Sequence, residues 1–133
     1  MDYLSIFDIS ASGMNVEKIK LDITALNIAN AKTTRTEKGG PYQPYTVITK
    51  AKTGKDFGVM VDRIQEQSSS PRVVYEPKHP DADKRGFVQY PDVNPVTEMV
   101  NLISITRSYE ANVRALNAAK KMMQSALQIG SGK

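Results

Sequence analysis

The sequence predicts an α+β fold in which two long terminal helices form a coiled-coil-like pair beside a small β-rich middle module. Three observations lead to this prediction. Apolar residues recur every three or four positions near both ends, whereas short runs of β-branched and aromatic residues occupy the middle. The pair Asn94-Pro95 marks a sharp boundary. In a chain of 133 residues, which has room for about one domain, the predicted segments are 1–30, 31–94 and 95–133.

The first predicted helix runs from about residue 6 to residue 30. Its apolar residues lie on two adjacent rows, which gives the helix a wide apolar face. Asn27 and Asn30, followed by a polar loop that contains Gly39-Gly40-Pro41, end the helix because Asn tolerates left-handed backbone and Gly-Gly-Pro cannot extend a helix. The predicted packing residues of this helix are Ile9, Val16, Ile19, Ile23, Leu26, Asn27, Ile28 and Asn30.

The middle segment contains four short runs of β-forming residues separated by turn formers. These runs are 45–49, 57–61, 72–75 and 86–90. Because they are too short and too few for a large sheet, we expect a hairpin or sandwich module of three to five strands. The connections at 68–71 and 77–85 should be exposed loops.

The second predicted helix begins at the Asn94-Pro95 boundary, where Asn can cap the helix and Pro suits the first helical position. An apolar stripe then continues without Gly or Pro until Gly130, which corresponds to about 50 Å of helix. A stripe of this length exceeds what the first helix can cover, so further chains should supply the missing surface in a ring or filament. Its predicted packing residues are Met99, Leu102, Tyr109, Val113, Leu116, Met123 and Leu127.

The two ends carry charges of opposite sign. Residues 1–30 contain two Lys against four carboxylates, whereas residues 95–133 contain five Lys and Arg against two Glu. This pattern favours packing of the ends against each other, and it argues against a nucleic-acid partner, which needs basic residues clustered on one face. No secretory signal or membrane-spanning segment is readable, so we expect no direct membrane insertion.

Candidates for chemistry are few. The chain has no Cys, which excludes disulfides and thiolate metal ligands. The single histidine, His79, lies in a turn with Asp81 and Asp83, and a small hydrolase at this turn is the enzyme alternative. A lone His beside Pro more often packs or forms hydrogen bonds, and a calcium-loop match starting at Asp81 fails because Arg85 occupies the fifth position. We therefore predict no enzyme, catalytic residue, cofactor or metal.

Several motifs carry a resemblance to a known family. They are ALNIANAKTTRT at 25–36 with GGPY at 39–42, VYEPKHPDAD at 74–83 with GFVQYPDVN at 86–94, and EMVN, SYEAN and NAAK at 98–101, 108–112 and 117–120. In combination they resemble the bacterial flagellar rod and hook proteins, and the central run is similar to members from the proximal rod. No family motif is recognisable from 43 to 72.

The resemblance implies a structural subunit of the flagellar basal-body rod, the drive shaft that transmits torque across the periplasm. It implies export from the cytoplasm without a cleaved signal peptide, and terminal helices that pair as an inner layer and become ordered by their neighbours. The implied stable partners are copies of the chain, other rod proteins, and the base formed by the export apparatus and the MS ring. Contacts with the export apparatus and its chaperones during export would be transient. The alternative is a soluble helical adaptor or binding module of a type III-like export system, which would form a discrete complex.

Overall fold

The computed structural model describes residues 3–53, 57–130 and 132. Six elements follow in order: α1 (Tyr3–Ala29), β1 (Tyr45–Ala51), β2 (Val59–Glu66), β3 (Arg72–Tyr75), β4 (Phe87–Tyr90) and α2 (Pro95–Gly130). Two long helices and two small antiparallel sheets confirm the predicted α+β class. Each of the four predicted runs overlaps one strand, and β2 continues five residues beyond the predicted end.

The two helices lie side by side and run in opposite directions. Gly13 faces the side chain of Asn112, and farther along, Thr24 and Asn27 share an open groove with Glu98 and Asn101. Because the helices are antiparallel, counting ten residues back from Gly13 and ten residues on from Asn112 places the start of α1 opposite Met122. Because α1 has 27 residues and α2 has 36, the last two turns of α2 extend beyond the described part of α1.

The helix ends are held by asparagine side chains. Asn94 Oδ1 accepts hydrogen bonds from the amides of Val96 (3.0 Å) and Thr97 (3.4 Å), which satisfies amides that a helix start leaves unpaired. At the end of α1, Asn30 Nδ2 donates to the Leu26 carbonyl at 3.0 Å. Both boundaries therefore follow from side-chain chemistry that is local in sequence.

Strands β1 and β2 form a hairpin that lies along α1. They pair from Tyr45 with Glu66 to Ala51 with Val59, with a register shift between Ile48 and Thr49. From Tyr45 to Ala51 the strand advances six steps, or about 20 Å. The two points at which the hairpin is attached to α1 lie fifteen residues apart, or about 22 Å along the helix. The hairpin is thus matched in length to the helix surface that it covers.

Strands β3 and β4 form a second, separate hairpin with a small core of its own. Val88 is fully buried, and the rings of Tyr75 and Phe87 pack edge to face at 5.2 Å. The Thr34 hydroxyl donates to Asp81 Oδ2 at 2.8 Å, which joins the loop after α1 to the turn between β3 and β4. The middle segment therefore contains two hairpins rather than a sandwich.

Neither helix, over the residues that the structure describes, is both long and apolar enough to cross a membrane.

Candidate functional site

Helix α2 leaves most of its large apolar side chains exposed, and α1 leaves Ile9 and Leu26 exposed. Val16 and Ala119 are the buried apolar residues of the described helices, whereas Val96 is 68%, Ile103 is 53% and Leu127 is 65% exposed. Soluble single chains rarely expose contiguous apolar surface of this kind unless another molecule covers it. The exposed faces of the helices are therefore the candidate functional site, and the function that they suit is assembly.

The predicted packing residues of α1 are divided between three environments. Val16 and Asn27 are buried, while Ile9 and Leu26 are exposed. The remaining four are partly buried, and they are Ile19, Ile23, Ile28 and Asn30. The structure thus brings only part of this set into contact within the chain.

The predicted packing residues of α2 are divided in the same way. Leu102, Val113 and Leu116 are partly buried. The other four are exposed, and they are Met99, Tyr109, Met123 and Leu127. Met123 and Leu127 lie in the last two turns, beyond the described part of α1, so no α1 residue of the described chain lies opposite them.

Small and polar residues form much of the contact between the two helices. Ser10, Thr24 and Asn27 are buried on α1, and Ala119 is buried on α2. A Cβ atom at Gly13 would lie 2.8 Å from Asn112 Nδ2, so the helices approach closely at this point. Sequence reasoning missed this contact because it followed apolar residues alone; Glu98, Ile105, Asn112 and Ala119 repeat every seven positions and could have revealed it.

Asn27 attaches the end of α1 to the middle segment. Its Nδ2 donates to the Tyr45 carbonyl at 2.9 Å, and its Oδ1 accepts from the Tyr45 amide and from the Tyr42 hydroxyl, both at 2.9 Å. Burial is the main cause that raises the pKa of Tyr42 to about 12, with the neighbouring Tyr45 next. The side chain of Asn27 thereby bonds the amide and the carbonyl of the first residue of β1, as the backbone of a neighbouring strand would.

Ser12 attaches the other end of the hairpin to α1. Its Oγ donates to the Ile9 carbonyl at 2.8 Å and accepts from the Val59 amide at 3.1 Å. Gly58, next to Val59, has φ of +128°, and a Cβ atom there would overlap the Ser12 hydroxyl. Only glycine suits this position, because both the backbone conformation and the close approach exclude a side chain.

The turn that contains His79 is held by internal hydrogen bonds. His79 Nδ1 accepts from the Asp81 amide at 3.1 Å, and the Asp81 carboxylate accepts from Thr34. Asp83 Oδ1 accepts from the amides of Phe87 and Arg85, and the Phe87 bond is the main cause that lowers the pKa of Asp83. In the described part of the chain, no three His, Asp or Glu side chains are grouped to hold a metal ion. These contacts give the turn a structural role.

Two segments of the chain match family models. Residues 7–35, which cover most of α1 and the loop after it, match the model described as Flagella basal body rod protein. Residues 84–129, which cover β4 and nearly all of α2, match the model described as Flagellar basal body rod FlgEFG protein C-terminal. The matched segments thus contain the two helices that carry the exposed apolar faces.

The chain is also similar over nearly its full length to proteins named flagellar basal-body rod protein FlgC. It is 39% identical to the one from Bacillus subtilis, with 92% of this chain and 95% of that relative covered. It is 40% identical to the one from Escherichia coli O6:H1, with 98% and 99% covered. The relative from Borreliella burgdorferi is 34% identical, with 99% and 100% covered.

Proposed function

The chain belongs to the FlgC family of flagellar basal-body rod proteins and is a structural rod subunit, and we propose that it polymerises through its terminal helices. The polymer is the proximal part of the drive shaft. The observation that carries this proposal is the exposure of apolar side chains along α2, from Val96 to Ile129. Membership of this family favours a rod subunit over the export-system adaptor that the sequence also allowed.

Transmission of torque follows from the number of helix contacts in such a polymer. Each apolar contact between side chains contributes little, about 0.1–0.2 kcal/mol per pair of atoms, but the total over many buried side chains is large. The proposed role is mechanical and requires no catalytic group.

Proteins of this family are part of the flagellum and assemble with other rod components. For this chain we propose a periplasmic position in the rod, export without a cleaved signal peptide, and contacts with other rod proteins and with the base of the motor. The lack of disulfides and the hydrogen-bonded attachment of the middle segment support this proposal, since a subunit that must pass an export channel unfolded cannot depend on covalent bridges.

Leu116→Asp tests polymerisation through the helices. Leu116 lies near the middle of α2 and is partly buried. Its replacement by Asp would remove apolar contacts and would place a charged carboxylate where burial is unfavourable. We expect the variant to be absent from purified basal bodies while its two hairpins stay folded. The measurement is the amount of tagged subunit in basal bodies, together with circular dichroism of the free subunit.

The adjacent Asn117→Asp is the matched control, because Asn117 is exposed and already polar. It should enter basal bodies as the unmodified chain does. Normal incorporation of Leu116→Asp would contradict polymerisation through the helices.

A further inference from the structure

Two rows of charged and polar residues run along the helices at seven-residue intervals. The row on α1 consists of Asp8, Asn15 and Asp22, and the row on α2 consists of Arg107, Arg114 and Lys121; all six are exposed. Seven residues are close to two helical turns, so each row stays on one side of its helix. The rows are opposite in charge.

Both rows face away from the contact between α1 and α2. Asp22 follows Gly13 by nine residues, which places it about 180° around the helix from that contact residue. Arg107 precedes Asn112 by five residues, which places it about 140° around α2. Because Gly13 and Asn112 face each other within the chain, the two rows point in opposite directions and cannot meet in one copy.

The charges of these rows are largely unpaired within the chain. Across the residues that the structure describes, Asp8, Asp22, Arg107 and Lys121 take part in none of the ion pairs, and Arg114 forms an exposed pair with Glu110 at 3.5 Å. Exposed pairs of this kind contribute little. Arg114 therefore stays available to a second partner.

We propose, on the basis of the rod-subunit function above, that the α1 row of one copy packs against the α2 row of a second copy. If the two copies have the same orientation, α1 of one copy runs antiparallel to α2 of the other, as these helices do within the chain. Because both rows repeat every seven residues, Asp8 would then face Lys121 and Asp22 would face Arg107. In the same register Lys18, the exposed cation between these two aspartates, falls beside Glu110.

Apolar residues match in this same register. Leu26, one turn beyond Asp22, faces Ile103, one turn before Arg107; Leu26 is 42% exposed and Ile103 is 53% exposed. Ala29 then faces Val100. With the register found within the chain, Asp22 would instead face Ile103 and place a carboxylate on an apolar surface. The favoured register is offset from it by four residues, or about 6 Å.

The contact is heterologous, because it joins two different surfaces of the same chain. Each copy presents its α1 row on one side and its α2 row on the other, so every added copy leaves one free row of each kind. Copies therefore continue side by side around an axis with a small axial step between neighbours. The resulting layer consists of alternating α1 and α2 helices and has no gap between copies.

Cross-linking between cysteines tests the register directly, because the chain has no Cys of its own. One tagged copy carries Leu26→Cys, and a second, differently tagged copy carries Ile103→Cys; both are co-expressed and oxidised in purified basal bodies. We expect a linked pair with both tags. The matched control replaces Ile103→Cys by Val96→Cys, which is more exposed than Ile103 but lies about 10 Å farther along the helix.

The expected yield with Ile103→Cys is at least about fivefold that of the control, since a disulfide forms only over a short range of Cβ separations. Equal yields, or a link that joins Leu26→Cys only to a different protein, would overturn the contact between copies. Absence of the unmodified chain from basal bodies would overturn the proposed function and this contact with it. Incorporation without the cross-link would overturn the contact alone.

Charge exchange provides the second measurement. Asp22→Arg and Arg107→Asp should each lower incorporation by about threefold to fivefold, because an attractive exposed pair becomes repulsive. The double variant should return to within about twofold of the unmodified chain, as coupled residues do. If the double variant lost as much incorporation as the two single losses combined, the result would count against a direct pairing of these two residues.

Discussion

At the scale of single residues, Asn27 shows how one side chain can attach a helix to a strand. It is buried, and its amide bonds both backbone groups of Tyr45 as well as the Tyr42 hydroxyl. Each such bond contributes about 1 kcal/mol when made, and a buried partner left without its bond costs more. The attachment of the middle segment to α1 therefore depends on a few polar atoms in a buried position.

The raised pKa of Tyr42 gives this attachment a measurable dependence on pH. Burial raises the pKa from 10.0 to about 12 in the folded chain. Below pH 10 both states keep the proton; between pH 10 and 12 only the unfolded chain releases it, so the free energy of unfolding falls as the pH rises. We expect a loss of about 2 kcal/mol across this range, measured by urea unfolding at several pH values.

Tyr42→Phe is the control for that loss. It removes the titrating group and one hydrogen bond, so it should be less stable by about 1 kcal/mol at pH 8 and lose less stability above pH 10. The difference between the two proteins removes the contribution of other groups such as Tyr45, whose pKa is also raised, chiefly by its hydrogen bond to Glu66. Parallel losses in both proteins would exclude Tyr42 as the cause.

At the scale of elements, the contact between the helices depends on the lack of a side chain at Gly13. Gly13→Val should lower incorporation into basal bodies, because its methyl groups would overlap the Asn112 amide. Combining it with Asn112→Ala should restore incorporation, since the shorter side chain leaves room. The measurement is the amount of each tagged variant in purified basal bodies. An undiminished amount of Gly13→Val would show that the close approach does not matter for assembly.

The elements themselves were largely predictable from sequence, because local signals specify them. Asn94-Pro95 starts α2, and each of the β-forming runs overlaps a strand. The contacts between elements were less predictable. Asn27 bonds Tyr45 across eighteen residues, and Thr34 bonds Asp81 across forty-seven. No local pattern selects such partners, and the search for apolar rows missed Gly13 and Asn112 because neither is apolar.

At the scale of the whole molecule, the chain buries little apolar surface between its helices. Small or polar residues such as Gly13, Asn112 and Thr24 lie at that contact, so the helix pair should open easily in a free subunit. We expect amides of residues 96–127 to exchange hydrogen at least about tenfold faster in the free subunit than in basal bodies, because neighbours supply the missing burial. Hydrogen exchange with mass spectrometry measures this.

The hairpins serve as the internal reference for that experiment, since β1 pairs with β2 within a single chain and this pairing requires no neighbour. Their protection should change little between the two states. Strong protection throughout 96–127 in the free subunit would contradict the prediction of mobile ends.

The two attachments of the hairpin, at Asn27 and at Ser12, have a mechanical consequence. A body held at one point can pivot in every direction, whereas a body held at two points keeps only rotation about the line that joins them. The attachments lie fifteen residues apart on α1 and both strands of the hairpin contact this helix, so a rotation of the helix about a distant axis carries the hairpin with it. In a rotating shaft, the hairpin of each subunit would then follow the rotation of its helices.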